Sequence, residues 1–358
     1  MSTTAAYGTL QEELAEATWL RPFTPHRRLR NGHFQTLAGN FIPRRPALPE
    51  PEELLIEVEG PVEGYGPSHI LCHCHWQPEE VRRDRLTLII VHGLEGSSRS
   101  QYVLGNTERA LAAGHNVIRM NMRSCGGTDH LCPTIYHSGR SEDVTALVTN
   151  LVEARGLRRI ALLGYSMGGN LILKYAGEVA SAPPPEFVGV IGVSPLMDLA
   201  ASSDALHRRS NYIYMRHFLR NMRGRLHRKA ALYPRIYGGT DIDAIRTMRD
   251  FDEHIVARFG GFEGATHYHH SVASSHFASD FRVPTLIIHS TDDPFIVMRP
   301  ETRAALLANP HVHLAETSRG GHCAFLAAGD PAQGRKVEYW AEDTLHGWLA
   351  RLPGNRSL

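Results

Sequence analysis

The sequence has little that would tie it to an oxidising compartment, a membrane or a nucleic acid. Five cysteines in 358 residues are too few and too scattered for a disulfide framework. No run of 18 apolar residues occurs, so no segment is long enough to cross a bilayer as a helix. An excess of charge of one sign is also missing. The 38 Lys and Arg residues against 37 Asp and Glu leave a net charge of +1, which offers a polyanion no global field. Residues 1–20, MSTTAAYGTLQEELAEATWL, carry acids and no apolar centre, so they do not read as a signal peptide. Internal repeats and low-complexity linkers are absent too. These absences together predict a cytoplasmic globular protein without a membrane span.

What is present is a globular composition, 42% hydrophobic and 21% charged, with 22 histidines spread along the chain. The densest cluster is HILCHCHW, residues 69–76, where Cys72, His73, Cys74 and His75 stand side by side. These are zinc-ligand types. The stretch follows the apolar LLIEVEG (54–60) and a Gly/Pro turn, which predicts an antiparallel edge hairpin. On a strand, neighbouring side chains point to opposite faces, so the two cysteines share one face and the two histidines the other. Each face then offers two ligands where a closed zinc site takes four. Cys125 and Cys132 flank a Gly-Gly turn and have no adjacent partner pair. No metal site is expected.

From residue 86 onward short apolar runs alternate with helical patterns. LTLIIVHG (86–93) reads as a buried strand, and NVIRMNMR (116–123), the start of RRIALLGYSMGGN (158–170), FVGVIGVSP (187–195), PTLIIHS (284–290) and HVHLAET (311–317) read as further strands. Helices fit about 101–113, 142–155, 300–308 and 335–350, the second with Ser141 as N-cap and Glu142 and Asp143 in its first turn. The alternation predicts an α/β fold, a mostly parallel sheet with helices on both faces. Between Pro195 and Pro284 the rhythm gives way to Arg-, His-, Tyr- and Met-rich helical sequence, too long for a loop. The expected organisation is one domain over 1–358, with an N-terminal extension over about 1–50 and a helical cap over about 196–280.

The chemistry concentrates at Gly164-Tyr165-Ser166-Met167-Gly168-Gly169, directly after the apolar Ile160–Leu163. G-x-S-x-G between a strand and a helix is the setting in which a serine is held on a strained turn with its hydroxyl exposed. The small flanking residues let strand and helix approach, and the helix N-terminus points its free N–H groups at the reacting oxygen. Serine needs a base and an orienting acid, which in such folds follow in the order Ser, Asp, His at the ends of later strands. Asp292 and Asp293 follow PTLIIHS, and His322 follows HVHLAET. The 29 residues from Asp293 to His322 leave room for one helix and one strand. An oxyanion hole needs two backbone N–H groups. Met167, after the nucleophile, and Leu94, in His92-Gly93-Leu94-Glu95-Gly96, are the candidates.

With NGHFQTL (31–37), VHGLEGSS (91–98), NMRSCGG (121–127), YHSG (136–139), GYSMGGN (164–170), STDDPF (290–295) and GGH (320–322), the chain resembles the YheT-like α/β hydrolases. The resemblance spans nearly the whole chain, in the family's order. It implies the α/β-hydrolase fold with a helical lid insertion, a Ser166–Asp293–His322 triad, carboxylic-ester substrates and neither metal nor cofactor. The membrane-spanning N-terminus of some relatives is not seen in this sequence. Of the adjacent aspartates, Asp293 is expected to be the acid, three residues after the small Ser290 that ends its strand. Asp292 is expected to cap backbone N–H groups of its loop.

From Ala205 to Thr240 there is no acid, against nine Arg or Lys residues. Tyr212, Met215, Leu219, Met222 and Leu226 fall at steps of three and four, one apolar stripe of a helix, with Arg216, Arg220 and Arg223 on a neighbouring face. The expectation is a lid helix, its Met-rich apolar side down over an acyl pocket, with peripheral contact to anionic lipid as the sharper alternative. The expected function is a serine hydrolase that cleaves short- to medium-chain acyl esters, lipid esters among them, through an acyl-enzyme. Acyl transfer to an alcohol would use the same triad. A non-catalytic hydrolase-fold binding protein would show a broken triad, and all three members are present. The expected partner is a small-molecule or lipid-like ester, with no nucleic acid.

Overall fold

The computed structural model describes residues 19–59, 62–329 and 337–354. The acidic segment 1–18 lies outside the described residues. Eight strands form one sheet: β1 (Glu52–Val58), β2 (Ser68–His75), β3 (Thr87–Val91), β4 (Asn116–Met120), β5 (Ile160–Tyr165), β6 (Phe187–Val193), β7 (Thr285–Ser290) and β8 (Val312–Thr317). Their order is β1-β2-β4-β3-β5-β6-β7-β8. β2 runs antiparallel to both β1 and β4, and β4 through β8 are mutually parallel.

The helices that matter for the site are α1 (Gly32–Phe41), α2 (Gln101–Ala112), α3 (Ser141–Glu153), α4 (Met167–Glu178), α5 (Tyr212–Leu232), α6 (Pro300–Ala308) and α7 (Trp340–Leu349). The central strands are largely apolar because both their faces are covered. On one face Ile89, Val91, Ile118, Met120 and Leu162 pack with Leu147 and Leu151 of α3 and Leu171 and Ile172 of α4. On the other, Leu88, Ile90, Val117, Leu163 and Ile288 pack with Val103 of α2 and with Leu345, Trp348 and Leu349 of α7. After β3 the chain crosses to β4 on one side and then to β5 on the other. That reversal opens a crevice at the carboxyl ends of β3 and β5, where ligands bind in sheets of this kind. The loop after β3 carries Leu94, and the turn after β5 carries Ser166.

Two local expectations are corrected. Ser141 is the first helical residue of α3 rather than its N-cap, which is Arg140. The Ser141 hydroxyl is turned to α4, where it donates to Glu178 Oε2 at 2.5 Å and accepts from Lys174 Nζ at 2.9 Å. The last helix begins at Trp340 instead of 335, because Val337–Tyr339 pairs as a strand with Leu326–Ala328.

Between β6 and β7 every described element is helical, with α5 the longest. The insertion forms most of a further apolar cluster, in which Leu219, Met222 and Leu226 of α5 pack with Leu206, Tyr237, Ile245, Phe251 and Ile255, and which Ile135, Phe295 and Ile296 join from the body of the protein. The Met-bearing stripe therefore faces this cluster, and Met215, Leu219, Met222 and Leu226 do not line the cavity described below. Tyr212, placed on that stripe by its spacing, is 53% exposed.

Candidate active site

Ser166 sits between β5 and α4 with φ 54° and ψ −118°. For a non-glycine residue this left-handed backbone costs about 1–3 kcal/mol, which the surroundings must hold in place. They do so through hydrogen bonds from Ser166 N–H to Val193 O at 2.9 Å and from Leu196 N–H to Ser166 O at 3.1 Å. The glycines of the motif are sterically required. A Cβ at Gly164 would lie 2.4 Å from Gly168 O, and one at Gly168 would lie 2.3 Å from His92 O. Gly169 leaves no more room, its Cβ falling 2.9 Å from Pro195 Cβ. Strand, turn and helix meet only without side chains there.

Asp293 and His322 come from the loops after β7 and β8. His322 Nδ1 lies 2.8 Å from Asp293 Oδ2, and the aspartate side chain is fully buried. Asp293 Oδ1 accepts from the N–H groups of Phe295 (3.1 Å) and Ile296 (2.9 Å), which fixes the carboxylate plane. Asp292 points elsewhere. Its Oδ1 accepts from Ser290 Oγ at 2.5 Å and from Gly321 N–H at 2.9 Å, tying the two loops together. Burial opposes a charge on the His322 ring, but the Asp293 carboxylate and its hydrogen bond, with Cys323 beside it, hold the pKa above the usual 6.5. The other ring nitrogen, Nε2, is 3.5 Å from Cys323 Sγ, and the Phe295 ring packs 4.4 Å from the imidazole, centroid to centroid.

NGHFQTL acquires a physical role here. Asn31 caps α1 by accepting from His33 N–H at 2.9 Å. Thr36 Oγ1 accepts from His322 N–H at 2.8 Å, and Gln35 exchanges hydrogen bonds with the backbone of Leu326 at 2.9 and 2.8 Å. Gly32 packs on the acid loop so closely that a Cβ would lie 2.0 Å from Asp292 O. α1 thus clamps both the acid and the histidine loops, a role its sequence does not reveal because its partners lie more than 250 residues away. YHSG and the Asn of GYSMGGN form a second clamp. Asn170 Nδ2 donates to Ser138 O, Ser138 Oγ and Val272 O at 2.9–3.0 Å, and its Oδ1 accepts from Ser274 N–H at 2.8 Å.

Leu94 lies in the loop after β3, which is held from three sides. Gly93 N–H donates to Tyr102 Oη at 2.8 Å, and His92 bridges Gly93 O (2.8 Å) and Met122 N–H (3.2 Å). Burial pushes His92 down to about 4, so this bridging ring is neutral. Glu95 adopts φ 56°, and its N–H donates to Tyr136 Oη at 3.2 Å. Gly93 comes so near the nucleophile that a Cβ there would lie 3.1 Å from Ser166 Cβ. Ser166, His322, Leu94 and Phe295 line one cavity of about 320 Å³ together with Leu37 and Phe41 of α1 and Ile213, Tyr214 and Phe218 of α5. Met167 follows the serine, opens α4 and is buried.

HILCHCHW is β2. Cys72 and Cys74 are fully buried in the apolar layer that includes α3, and His73 and His75 project from the opposite face. Burial holds both imidazoles below their usual value, His75 down to about 4. Among the described residues no group of three or more His, Cys, Asp or Glu is arranged to hold a metal ion.

The family model of the alpha/beta hydrolase fold matches residues 87–233. Escherichia coli YheT, a protein named as an esterase, is 28% identical over 337 residues, 91% of this chain and 92% of that one. Human phospholipase ABHD3 is 23% identical over 306 residues, covering 84% of this chain and 73% of its own. A yeast monoacylglycerol lipase (Saccharomyces cerevisiae) is 27% identical over 243 residues, 66% of this chain and 54% of its own. Among solved structures, a Pyrococcus furiosus esterase superposes with a TM-score of 0.52 at 16% identity, covering 85% of this chain and 93% of that one. That last likeness is one of fold.

Proposed function

Because the chain belongs to the alpha/beta hydrolase family and resembles its esterases and lipases, we propose that it is a serine hydrolase that cleaves carboxylic esters through an acyl-enzyme. The observation that carries this reading is the strained Ser166 turn in one cavity with His322, whose far ring nitrogen is held by the buried Asp293. Ser166 Oγ attacks the ester carbonyl carbon while His322 Nε2 takes its proton. The imidazolium so formed is stabilised by Asp293, and it returns the proton to the departing alcohol. The Leu94 and Met167 N–H groups receive the carbonyl oxygen as it becomes negative, where fixed donors contribute most to catalysis. Water, activated by the same histidine, then releases the acid and frees the serine.

The cavity lining suits an aliphatic acyl chain of short to medium length. Its rim supports a lipid-like ester presented at an aggregate surface. Leu37, Phe41 and Ile213 line the cavity yet are 38%, 73% and 76% exposed, an apolar rim with Arg216 and Arg220 of α5 exposed beside it. Such a rim, with α5 as a lid, favours peripheral contact with anionic lipid. Among the described residues no helix is long and apolar enough to cross a membrane. All five thiols are unpaired, which supports a place in the cytoplasm.

Labelling with a fluorophosphonate and turnover of p-nitrophenyl esters of graded chain length test the reading. Ser166→Ala should abolish labelling and lower kcat by a factor on the order of 10⁴ or more, with the melting temperature retained. Full turnover by the folded alanine variant would refute the serine mechanism.

A further inference from the structure

α5 carries an acid-free, basic sequence, and several of its cations face solvent. Arg225 and Lys229, one turn apart, do not: their side chains are 7% and 0% exposed. Lys229 Nζ donates to the backbone oxygens of Asp129 (3.1 Å) and Cys132, and the Asp129 carboxylate accepts from Arg228 Nε at 2.8 Å. Arg225 reaches further inward. Its Nε and Nη2 lie 3.2 and 3.1 Å from Glu95 Oε1, whose side chain is 8% exposed. The same oxygen accepts from Tyr136 Oη at 2.7 Å, and the guanidinium lies 5.2 Å over the Tyr136 ring. Asp129 is the next acid, 3.9 Å from Arg225 Nη1.

Glu95 is an unusual residue to anchor. It has a left-handed backbone, φ 56°, immediately after Leu94, so anchoring its side chain fixes the path of the loop that carries the Leu94 N–H. A buried carboxylate that loses its cation cannot stay where it is without a large desolvation penalty. The position of α5 and the shape of the loop are therefore tied through this contact.

We infer that Arg225 is a positioning residue: by pairing with Glu95 it holds the loop after β3 in the conformation that aims the Leu94 N–H at the reacting oxygen. The oxyanion site is then complete only while α5 is seated. Displacing α5 would therefore take the catalytic geometry apart. The inference rests on the ester-hydrolase reading for its kinetics, and on geometry alone for the coupling between helix and loop.

The test compares Arg225→Gln, Arg225→Lys, Glu95→Gln and the Arg225→Gln/Glu95→Gln double variant with the unmodified protein. Removing one oxyanion donor costs roughly 10²–10³ in kcat, so Arg225→Gln should lose on the order of 10²-fold in kcat on a short p-nitrophenyl ester. Its KM should stay within about twofold, as for an interaction made only in the transition state. Affinity for a trifluoromethyl ketone, whose tetrahedral adduct needs the oxyanion site, should fall by the same factor. Arg225→Lys should recover part of the loss, since it keeps the charge but not the fork. The double variant should lose no more than the worse single one, as expected for residues acting through one contact. Hydrogen exchange should quicken at residues 93–98 in Arg225→Gln. Retained kcat, or a kcat loss with ketone affinity unchanged, would overturn the inference, as would unchanged exchange at 93–98. If Arg225→Gln fails to fold, Arg225→Lys and Glu95→Gln carry the same comparison. Absence of fluorophosphonate labelling in the unmodified protein would count against the hydrolase reading instead, leaving the exchange result to decide the coupling.

Discussion

Two neighbouring aspartates show how much chemistry one backbone position decides. Asp293 faces His322 at 2.8 Å, whereas Asp292 accepts from Ser290 Oγ and Gly321 N–H. Asp293→Asn should therefore lower kcat by roughly 10⁴-fold, because an amide at that position favours the wrong imidazole tautomer. Asp292→Asn should cost far less and act mainly through the stability of the paired loops. The pH profile adds a second readout. A general base works only when deprotonated, so kcat/KM should rise with pH through the His322 titration, with a midpoint above 6.5 because Asp293 stabilises the imidazolium. In the residual activity of Asp293→Asn that midpoint should move down, since the carboxylate that opposes the effect of burial is gone. Steady-state kinetics of the two folded variants across pH checks both, and the opposite ranking would make Asp292 the acid.

At the scale of elements, α5 divides its surface three ways. Leu219, Met222 and Leu226 fill the insertion's core, Arg225 and Lys229 bind the body of the protein, and Arg216 and Arg220 are exposed near the cavity rim. Arg223 belongs to none of these, being paired with Asp243. If the rim meets anionic lipid, each exposed arginine near the surface contributes about 1 kcal/mol. Arg216→Glu with Arg220→Glu should then weaken binding to phosphatidylserine vesicles by roughly tenfold or more and flatten its salt dependence. Hydrolysis of a short, soluble ester should stay within about twofold. Vesicle sedimentation at two salt concentrations checks this; no binding by the unmodified protein would leave α5 as a lid alone.

At the scale of the whole molecule, the histidine-rich β2 is a part of the sheet. Its Cα partners run from Glu52 to Val58 on β1 and from Val117 to Met120 on β4. With the cysteines in one layer and the histidines on the other face, dialysis against EDTA should leave both activity and melting temperature unchanged. Stoichiometric zinc by elemental analysis, lost together with activity, would contradict this.

The sequence by itself determined what depends on near neighbours. Period and composition marked the strands, because a strand buried on both faces is largely apolar. The small residues around Ser166 marked the strained turn, because nothing larger fits between β5 and α4. Alternation of side chains on β2 separated Cys72 and Cys74 from His73 and His75. The tertiary structure decided what depends on distant partners. In the acid-free run from Ala205 to Thr240 every cation reads alike, yet Arg225 is drawn inward by Glu95, 130 residues earlier in the chain. The Met-bearing stripe of α5 faces the insertion's core because short helices elsewhere in the insertion offered it an apolar partner. α1 showed only its NGHFQTL motif in sequence, while its grip on the loops of Asp293 and His322 comes from Gly32, Gln35 and Thr36 meeting residues near the other end of the chain. Periodicity reports the facing of a side chain within its own element; which element stands opposite is set by the crossing of the sheet.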